Sequence, residues 1–347
     1  MGHQYVAIGW NRQKKLYDLY ILLFAGLYLL GFNFISQQIS PDITFETLFI
    51  RSTGSLAILL LHVILCIGPL CRLFPKLLPL LYNRRHLGVS MALLATAHGV
   101  FSIIQFHTQG DTAPLTSLLT SNTNFTDFGQ FPFMLPGFCA LIILLLMAAT
   151  SHDFWLNFLG APVWKALHMA VYFAYLLLLL HVLTGSYQQN HAPALLIFLG
   201  AGAVSIISLH LIAGWKEAPA DRPAKDEEDS WVKACHIEDI PDNRAKVIRI
   251  GNERVAIFKY DKLLAATSNV CQHQNGPLGE GCVIDGLITC PWHGYQYRPE
   301  DGCSPPPFTE KVATYRLKMT GEEVWIYLEA EAPGTPVTPL KIPDAHV

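Results

Sequence analysis

Six long apolar stretches occupy the first 215 residues and constrain the fold more than any other feature of the sequence. They lie at about residues 16–36, 52–72, 87–107, 133–150, 163–185 and 193–214. Each is close to the roughly 20 residues that a helix needs to cross the hydrocarbon core of a bilayer. A segment in lipid must satisfy its own backbone polar groups, so we expect these stretches to be helices. The sequence therefore predicts an all-α bundle of six transmembrane helices in residues 1–215.

Charged residues become common only after Trp215. The whole chain is 51% hydrophobic and only 15% charged, whereas soluble domains are about 25% charged. This composition is typical of a membrane half followed by a soluble half. The formal net charge of −3 argues against a nucleic-acid partner.

Lysine and arginine are distributed unevenly between the two sides of the predicted bundle. The side that contains both termini carries Arg12, Lys14, Lys15, Arg72, Lys76, Arg84, Arg85, Lys165, Lys216, Arg222 and Lys225. The opposite side carries only Arg51. The positive-inside rule then predicts an integral protein of the cell membrane with both termini and the soluble domain in the cytoplasm.

The soluble half divides into three parts. Residues 216–229 are charged and contain proline, which predicts a linker without a core. From Ser230 to about residue 330, short β-type runs such as AKVIRI and EVWIYLE alternate with turn residues, which predicts a small all-β sandwich domain. Residues 331–347 are rich in proline, and we expect a loose tail.

Two short motifs in the β domain combine cysteine with histidine. Cys271-x-His273 and Cys290-x-x-His293 are separated by sixteen residues. Two Cys and two His can hold tetrahedral zinc. They can also hold a [2Fe–2S] cluster of the Rieske type, in which two histidines replace two thiolates on one iron. Zinc fingers usually pair Cys with Cys and His with His, whereas each motif here carries one of each, so the pattern favours the iron–sulfur cluster.

The sequence around these motifs resembles ferredoxin-type Rieske domains from Trp231 to Leu328. The resemblance rests on the PL-x-x-G segment from Pro277 to Gly281, on Cys-Pro-x-His-Gly, and on a late proline-rich loop from Ser304 to Phe308. It implies a [2Fe–2S] cluster held by four ligands, Cys271, His273, Cys290 and His293.

Two departures separate this domain from the Rieske proteins of respiratory complexes. Those proteins carry an extra disulfide between the ligand loops, at positions that hold Gly276 and Trp292 here. They also carry a serine two residues after the last histidine, where this chain has Tyr295, while Tyr297 keeps the usual aromatic position. Loss of a hydroxyl donor to the cluster sulfur is expected to lower the reduction potential.

The histidines of the apolar half fall within two segments that resemble the ferric-reductase-like transmembrane domain. These segments carry His98-Gly99, Leu167-His168 and His181, and the resemblance extends over about residues 52–187. Within that family the likeness is to the haem-binding membrane subunit of the bacterial methionine-sulfoxide-repair reductase. It implies b-type haem bound through His98, His168 and His181.

The resemblance implies one haem between His98 and His181, and a second one on His168 would need another ligand. His168 and His181 are 13 residues apart, which is about 20 Å along a helix and a turn of about 220°, so they serve different depths. Candidate partners for His168 are His86, His152 and His210. His62 departs from the family pattern, and we expect it to be structural.

Several sequence features of redox enzymes are missing. No facial triad of two histidines and a carboxylate follows the Cys/His motifs, and no G-x-G-x-x-G links a strand to a helix. We therefore expect an electron-transfer protein that relays electrons between a cytoplasmic Rieske cluster and b-type haem. The donor is expected to be a flavoprotein reductase, a ferredoxin or a quinol, and the acceptor stays open. The alternatives are a terminal metalloreductase and a redox sensor.

Overall fold

The computed structural model describes residues 12–77, 79–159, 161–188, 192–218 and 230–343. The chain forms two compact units. One contains residues 10–67 and 83–209 and is helical, and the other contains residues 68–82 and 210–347 and includes the β-sheet domain. The Rieske-like sequence therefore lies wholly within the second unit.

The α-helices of the described residues are α1 (Arg12–Ile39), α2 (Phe45–Leu73), α3 (Pro79–Tyr82), α4 (Arg84–His107), α5 (Pro114–Thr120), α6 (Met134–Ala149), α7 (Asp153–Leu159), α8 (Ala161–Met169), α9 (Val171–Val182) and α10 (Pro193–Glu217). Short 3-10 helices occupy Pro75–Leu77, Phe128–Gln130, Ile237–Asp239 and Leu278–Glu280, and a π-helix occupies Leu183–Tyr187.

Within the part of the chain that the structure describes, five helical segments are long and apolar enough to cross a membrane. They are Lys15–Ile39, Phe45–Leu73, Arg84–His107, Val163–Tyr187 and Pro193–Glu217. The predicted fourth span corresponds to α6, which has only 16 residues and is about 24 Å long, less than a hydrocarbon core of about 30 Å. The chain thus has a helical membrane region, but the predicted count of six spans is not confirmed.

The predicted fifth span is not one regular helix. Helix α8 ends at Met169, α9 begins at Val171, and a π-helical turn follows at Leu183–Tyr187. The π turn contains Gly185, where a β-carbon would lie only 2.5 Å from Cδ2 of Phe133. His168 and His181 therefore belong to different α-helices, so the angle expected for one ideal helix does not relate them.

The strands of the second unit are β1 (Trp231–His236), β2 (Arg244–Ile250), β3 (Glu253–Tyr260), β4 (Leu263–Ser268), β5 (Cys282–Ile284), β6 (Leu287–Thr289), β7 (Gln296–Tyr297), β8 (Thr314–Tyr315), β9 (Leu317–Thr320), β10 (Glu323–Tyr327) and β11 (Leu340–Lys341). They form three antiparallel sheets. These have the orders β1-β10-β9, β11-β4-β3-β2 with β8 also on β4, and β5-β6-β7.

Strand β3 separates two hydrophobic cores, because successive side chains of a strand point to opposite faces. Val255 and Ile257 lie in one core, and Ala256 and Phe258 lie in the other. The second core also contains the two motif cysteines and packs under the small sheet β5-β6-β7. The motif loops are therefore anchored to the most buried part of the domain.

The proline-rich segment is not a loose tail, which corrects the expectation from composition. Strand β11 pairs with β4, and Ile342 is only 5% exposed in the first core. The Val337 N–H also donates to the carbonyl of Glu300 at 2.6 Å. Strand β4 pairs with β3 on one side, and on its other side the tail strand β11 and the short strand β8 satisfy its backbone groups. Residues 344–347 lie outside the described residues.

Two glycines with similar backbone angles allow a direct test of close packing in this domain. Gly302 has φ +66°, and a β-carbon there would lie 2.1 Å from the carbonyl oxygen of Val312. Gly321 has φ +62° and no atom within 4 Å of that position. We expect Gly321→Ala to lower the free energy of unfolding by about 1 kcal/mol, which is the cost of the left-handed conformation. We expect Gly302→Ala to cost clearly more, because it also displaces the backbone at Val312.

Urea titration of the detergent-solubilised protein, with proteolytic cleavage inside residues 230–343 as the readout, measures both losses. Equal losses in the two variants would contradict the close approach at Gly302.

Candidate metal and haem sites

Two loops with matching backbone hydrogen bonds present the motif residues. One loop follows β4 and the other joins β6 to β7. In each, the cysteine N–H donates to the carbonyl five residues later, from Cys271 to Gly276 at 2.9 Å and from Cys290 to Tyr295 at 2.8 Å. Each loop is therefore closed on itself, and each holds its cysteine at the same place in a tight turn.

The turns also share a left-handed residue four positions after the cysteine. It is Asn275 with φ 56° in the first loop and Gly294 with φ 67° in the second. Asparagine and glycine tolerate this region better than other residues. Gly276 lies where the two loops come closest to each other. A β-carbon there would lie 2.8 Å from Cys290 Sγ and 3.2 Å from the Trp292 ring, so it lets the loops approach each other.

The contact between Gly276 and Trp292 occupies the place of the extra disulfide of respiratory Rieske proteins. The indole of Trp292 lies against the glycine backbone instead of a sulfur bridge. No disulfide joins any of the eight cysteines, all of which lie among the described residues. The loops are therefore held together by packing and by their own backbone hydrogen bonds.

The four motif side chains are arranged as a pair of thiols and a pair of imidazoles. Cys271 and Cys290 are 1% and 2% exposed, and their thiols hydrogen-bond each other, which lowers the pKa of Cys271 and raises that of Cys290. The rings of His273 and His293 have centroids 5.2 Å apart and planes at 88°. Each pair draws one residue from each loop. Among the described residues, no three His, Cys, Asp or Glu side chains converge on one metal-sized position.

This pairing fits the donor set of a Rieske cluster. Two thiols from different loops suit one iron, and two imidazoles from different loops suit the other. The sequence placed one Cys and one His in each loop, and the structure places Cys with Cys and His with His across the loops.

A tyrosine hydroxyl lies next to one of the paired sulfurs. Tyr297 is buried, and its hydroxyl oxygen lies 3.3 Å from Cys271 Sγ. The same oxygen accepts the Gln272 N–H at 3.0 Å, so the hydroxyl proton is directed elsewhere, toward the sulfur. Burial raises the pKa of Tyr297, which keeps the hydroxyl protonated as a donor.

The second tyrosine contacts a histidine rather than a sulfur. The Tyr295 ring stacks on His273, with centroids 4.8 Å apart and planes at 10°. Its hydroxyl donates to the carboxylate of Glu310. Burial and this carboxylate raise the pKa of Tyr295. Tyr295 thus supports an imidazole and directs its hydroxyl away from Cys271, as expected from the absence of the respiratory serine.

In the helical unit, His98 of α4 and His181 of α9 face each other. Their ring centroids are 6.1 Å apart, and their planes lie at 81°. Nδ1 of His98 lies 2.8 Å from the Ile50 carbonyl oxygen, and Nδ1 of His181 lies 2.7 Å from that of Phe133. A carbonyl oxygen only accepts, so each Nδ1 carries the proton and each Nε2 of the neutral ring keeps a lone pair.

These two imidazoles fit a single six-coordinate haem iron. A metal about 2 Å from an imidazole nitrogen is about 3 Å from the ring centroid, so two rings across one metal have centroids about 6 Å apart. The backbone carbonyls fix the tautomer in the way that metal-ligating histidines normally require. The residues present therefore suit the haem that the sequence resemblance implied.

His168 has the chemistry of a ligand, but its counterpart is not evident. Its Nδ1 donates to the Trp164 carbonyl at 3.0 Å, and its ring stacks on the Trp164 indole at 3.8 Å. Its Nε2 is buried without a hydrogen-bond partner among the described residues. His168 remains a candidate ligand for a second haem.

The three proposed partners of His168 differ in their own contacts. His86 bonds Asp18 through Nδ1 at 2.8 Å. His152 accepts the Phe154 N–H on Nδ1 at 3.2 Å, which places its ring proton on Nε2 and removes that lone pair. His210 belongs to the other compact unit. The geometry therefore disfavours His152 and leaves His86 as the candidate in the helical unit.

His62 makes contacts of the kind expected for a structural histidine. Its Nε2 lies 2.9 Å from the Tyr175 hydroxyl, and its ring packs edge-on against Tyr175 and Phe198. A β-carbon at Gly202 would lie 2.3 Å from the same Nε2. His62 thus holds three helices together and makes a useful control for the ligand positions.

The sequence analysis missed an ionic cluster within the second unit. Arg72 Nε lies 3.1 Å from Glu217 and 3.3 Å from Glu280, and Arg254 lies 3.7 Å from Glu217. Burial raises the pKa of Glu280 to about 7, which Arg72 and Arg254 oppose and Glu217 reinforces. These residues are far apart in sequence, so no local pattern could have linked them. This ionic cluster joins the ends of α2 and α10 to the 3-10 helix Leu278–Glu280, which follows the first motif loop.

Comparison with known proteins identifies both halves of the chain. Residues 53–179 match the family described as ferric reductase like transmembrane component. Residues 230–316 match the Rieske [2Fe-2S] domain. The first match contains His98 and His168, and the second contains all four motif residues.

The similar curated proteins match the soluble half. The ferredoxin component of an alkene monooxygenase system from Xanthobacter autotrophicus is 28% identical over 107 residues, which cover 30% of this chain and 88% of that protein. The biphenyl dioxygenase ferredoxin subunit of a Pseudomonas species is 30% identical over 100 residues, which cover 28% and 91%. In a solved structure, the ferredoxin of carbazole 1,9a-dioxygenase from Nocardioides aromaticivorans IC177 aligns over 29% of this chain and 100% of its own at 18% identity, with a TM-score of 0.28.

Both ferredoxins are covered almost completely, and the biphenyl dioxygenase ferredoxin reaches 30% identity. A Rieske domain supports a [2Fe–2S] cluster, and both domains support electron transfer at a membrane. The chain is therefore a membrane protein whose helical half matches the ferric-reductase-like transmembrane component and whose β domain belongs to the Rieske [2Fe–2S] proteins.

Proposed function

We propose that this protein relays electrons between a Rieske cluster in the β domain and b-type haem in the helical unit. The observation that carries the proposal is the presence of two complete donor sets in one chain. The cluster ligands are Cys271, His273, Cys290 and His293, and the haem ligands are His98 and His181. We further propose that the β domain comprises residues 230–330 together with the paired strand β11, and that its linker is the part of 216–229 that follows the end of α10 at Glu217. We propose that both face the cytoplasm, as the uneven distribution of Lys and Arg favours.

The β domain provides ligands and tunes the potential of the cluster, which when bound supplies one-electron transfer. Tyr297 donates to Cys271 Sγ, and such hydrogen bonds favour the reduced, more negative cluster. Tyr295 directs its hydroxyl to Glu310 instead. This site has one hydroxyl donor to a cluster sulfur, whereas respiratory Rieske proteins have two. We therefore expect its reduction potential to be lower than theirs.

The helical unit provides two neutral imidazoles inside an apolar environment. The carbonyls of Ile50 and Phe133 orient them, so each lone pair is available for iron without a conformational change. A pre-set ligand geometry suits an electron carrier, because a carrier must change oxidation state with little rearrangement. A second haem on His168 is a further part of this proposal.

The ionic cluster supports coupling of the β domain to the membrane helices. Arg72 at the end of α2 pairs with Glu280, which follows the first cluster loop, and with Glu217 at the end of α10. Opposite charges at such a contact favour docking and orientation. The linker adds a high effective concentration of the domain at the membrane surface.

The proposed electron donor is a flavoprotein reductase, a ferredoxin or a quinol. The acceptor would take electrons from the haem. Two alternative functions make different demands on the same sites. A terminal metalloreductase would turn over a ferric chelate with the purified protein. A redox sensor would show slow haem reduction that is independent of the cluster.

The first prediction concerns the cluster ligands. We expect Cys290→Ser and His293→Ala to abolish the Rieske electron paramagnetic resonance signal of the reduced protein, because each removes one ligand of an iron. Cys282→Ser is the matched control, because that cysteine is half-buried and outside the two loops. Protein that contains zinc but no iron or sulfide would contradict the assignment.

The second prediction concerns the haem ligands. We expect His98→Ala and His181→Ala each to lose the low-spin haem absorption bands, because each variant lacks one of the two imidazoles that would hold the haem. His62→Ala, which removes a buried histidine of the same unit, should retain them. Full retention of low-spin haem in both ligand variants would refute this site.

The third prediction concerns the relay. In rapid mixing with a donor that reaches the cluster first, haem reduction should follow cluster reduction, and His273→Ala should slow it severalfold or more. Arg72→Gln should also slow it, because it weakens the contact with Glu280. Lys76→Gln removes an exposed cation from the same region and should leave the rate unchanged. Wild-type haem reduction by the same donor in the His273→Ala protein would rule out the relay.

A further inference from the structure

Two backbone carbonyls accept the Nδ1–H bonds of the haem-site imidazoles, and each belongs to the start or the interior of a helix. At such a position, side chains of the helix usually block access to the carbonyl oxygen. In an α-helix the carbonyl of residue i already accepts the N–H of residue i+4, and the side chain of that residue stands beside it. Ile50 lies in α2, and Phe133 is the N-cap residue of α6. The residues four positions later are Gly54 and Gly137. Both carbonyls are therefore open on the side where a side chain would otherwise stand.

The imidazoles fill the space that those missing side chains leave. A β-carbon on Gly54 would lie 2.7 Å from Nδ1 of His98, and one on Gly137 would lie 2.6 Å from Nδ1 of His181. Both distances are shorter than real β-carbon contacts allow. An alanine at either position would therefore require the imidazole to move from its place beside the carbonyl.

The same arrangement occurs twice, on two different helices, around one pair of histidines. In each case the spacing from carbonyl to glycine is four residues, and the hydrogen bond is 2.7 or 2.8 Å long. By contrast, Gly88 in α4, the helix that carries His98, has no atom within 4 Å of its β-carbon position. Gly54 and Gly137 thus differ from Gly88 in that each lies against an imidazole ring.

We propose that Gly54 and Gly137 are positioning residues for haem ligation. Each opens a helix carbonyl to one imidazole, and so fixes the ring plane, the tautomer and the basicity of His98 or His181. The inference rests on the proposed function, because it concerns the same two ligands. It adds that two residues without side chains position the ligands, and that they set the 81° angle between the rings.

The consequences are measurable on the purified full-length protein with haem. Loss of the Nδ1–H bond should weaken haem binding about tenfold for Gly54→Ala and Gly137→Ala, equivalent to about 1.4 kcal/mol. It should also change the low-spin electron paramagnetic resonance spectrum, which depends on the angle between the imidazole planes. The haem midpoint potential should rise, because a hydrogen-bonded imidazole is the more basic ligand and favours ferric iron. Gly88→Ala should leave all three properties at wild-type values.

A second experiment does not depend on the folding of the glycine variants. In His98→Gly protein, added imidazole can take the place of the missing side chain and donate its N–H to the Ile50 carbonyl. In 1-methylimidazole that N–H is replaced by a methyl group, which would also fall in the space beside Gly54. We expect imidazole to restore low-spin haem and 1-methylimidazole to bind at least tenfold more weakly.

The outcomes separate the inference from the proposed function. If His98→Ala and His181→Ala keep low-spin haem, the haem assignment itself fails. If those variants lose haem while both glycine variants keep wild-type affinity, spectrum and potential, the positioning role alone is overturned. Equal binding of imidazole and 1-methylimidazole would also overturn it, whether or not the glycine variants accumulate.

Discussion

The hydrogen bond from an imidazole Nδ1 to a backbone carbonyl is the interaction on which the proposed redox site of the helical unit depends. A histidine inside a membrane helix is costly unless its polar atoms are satisfied. His98 and His181 meet this requirement with carbonyls of neighbouring helices, at 2.8 and 2.7 Å. The same bonds leave one lone pair on each ring, and the two rings face each other at 6.1 Å. The same hydrogen bond thus satisfies the buried Nδ1–H and leaves Nε2 available as a ligand.

In the β domain, loops instead of helices supply the backbone groups that position the candidate ligands. Each loop closes through its own backbone bonds and places a cysteine in the second hydrophobic core. Gly276 lets the loops touch, so the thiols pair with each other and the imidazoles pair with each other. Tyr297 and Tyr295 then support one member of each pair. Both sites are therefore organised by backbone groups and by missing side chains as much as by the ligands.

Sequence patterns were enough to find the resemblance to two families, which the family matches confirm, because the spacing of Cys and His and long apolar runs are local features. Sequence patterns were not enough for features that depend on tertiary contacts. Helix α6 is only 16 residues long, although the apolar run around it predicted a span. The Pro-rich tail pairs with β4, because the edge of a sheet offers partners that composition does not show.

The candidate ligands were proposed from the sequence, whereas their surroundings could not be. The four motif residues and the pair His98 and His181 follow from motif spacing and family resemblance. The carbonyls of Ile50 and Phe133 lie 48 residues from the histidines they accept, and Arg72 is 208 residues from Glu280, so no local pattern predicts these contacts. The break between α8 and α9 likewise depends on packing, and it separates His168 from His181.

The most direct test of two redox centres in one chain is chemical analysis of the purified full-length protein. Non-haem iron, acid-labile sulfide and haem would be measured on the same sample as its protein concentration. The account predicts about two non-haem irons, about two sulfides and at least about one b-type haem for each chain. Zinc in place of iron and sulfide, or protein that folds in full without haem, would contradict it.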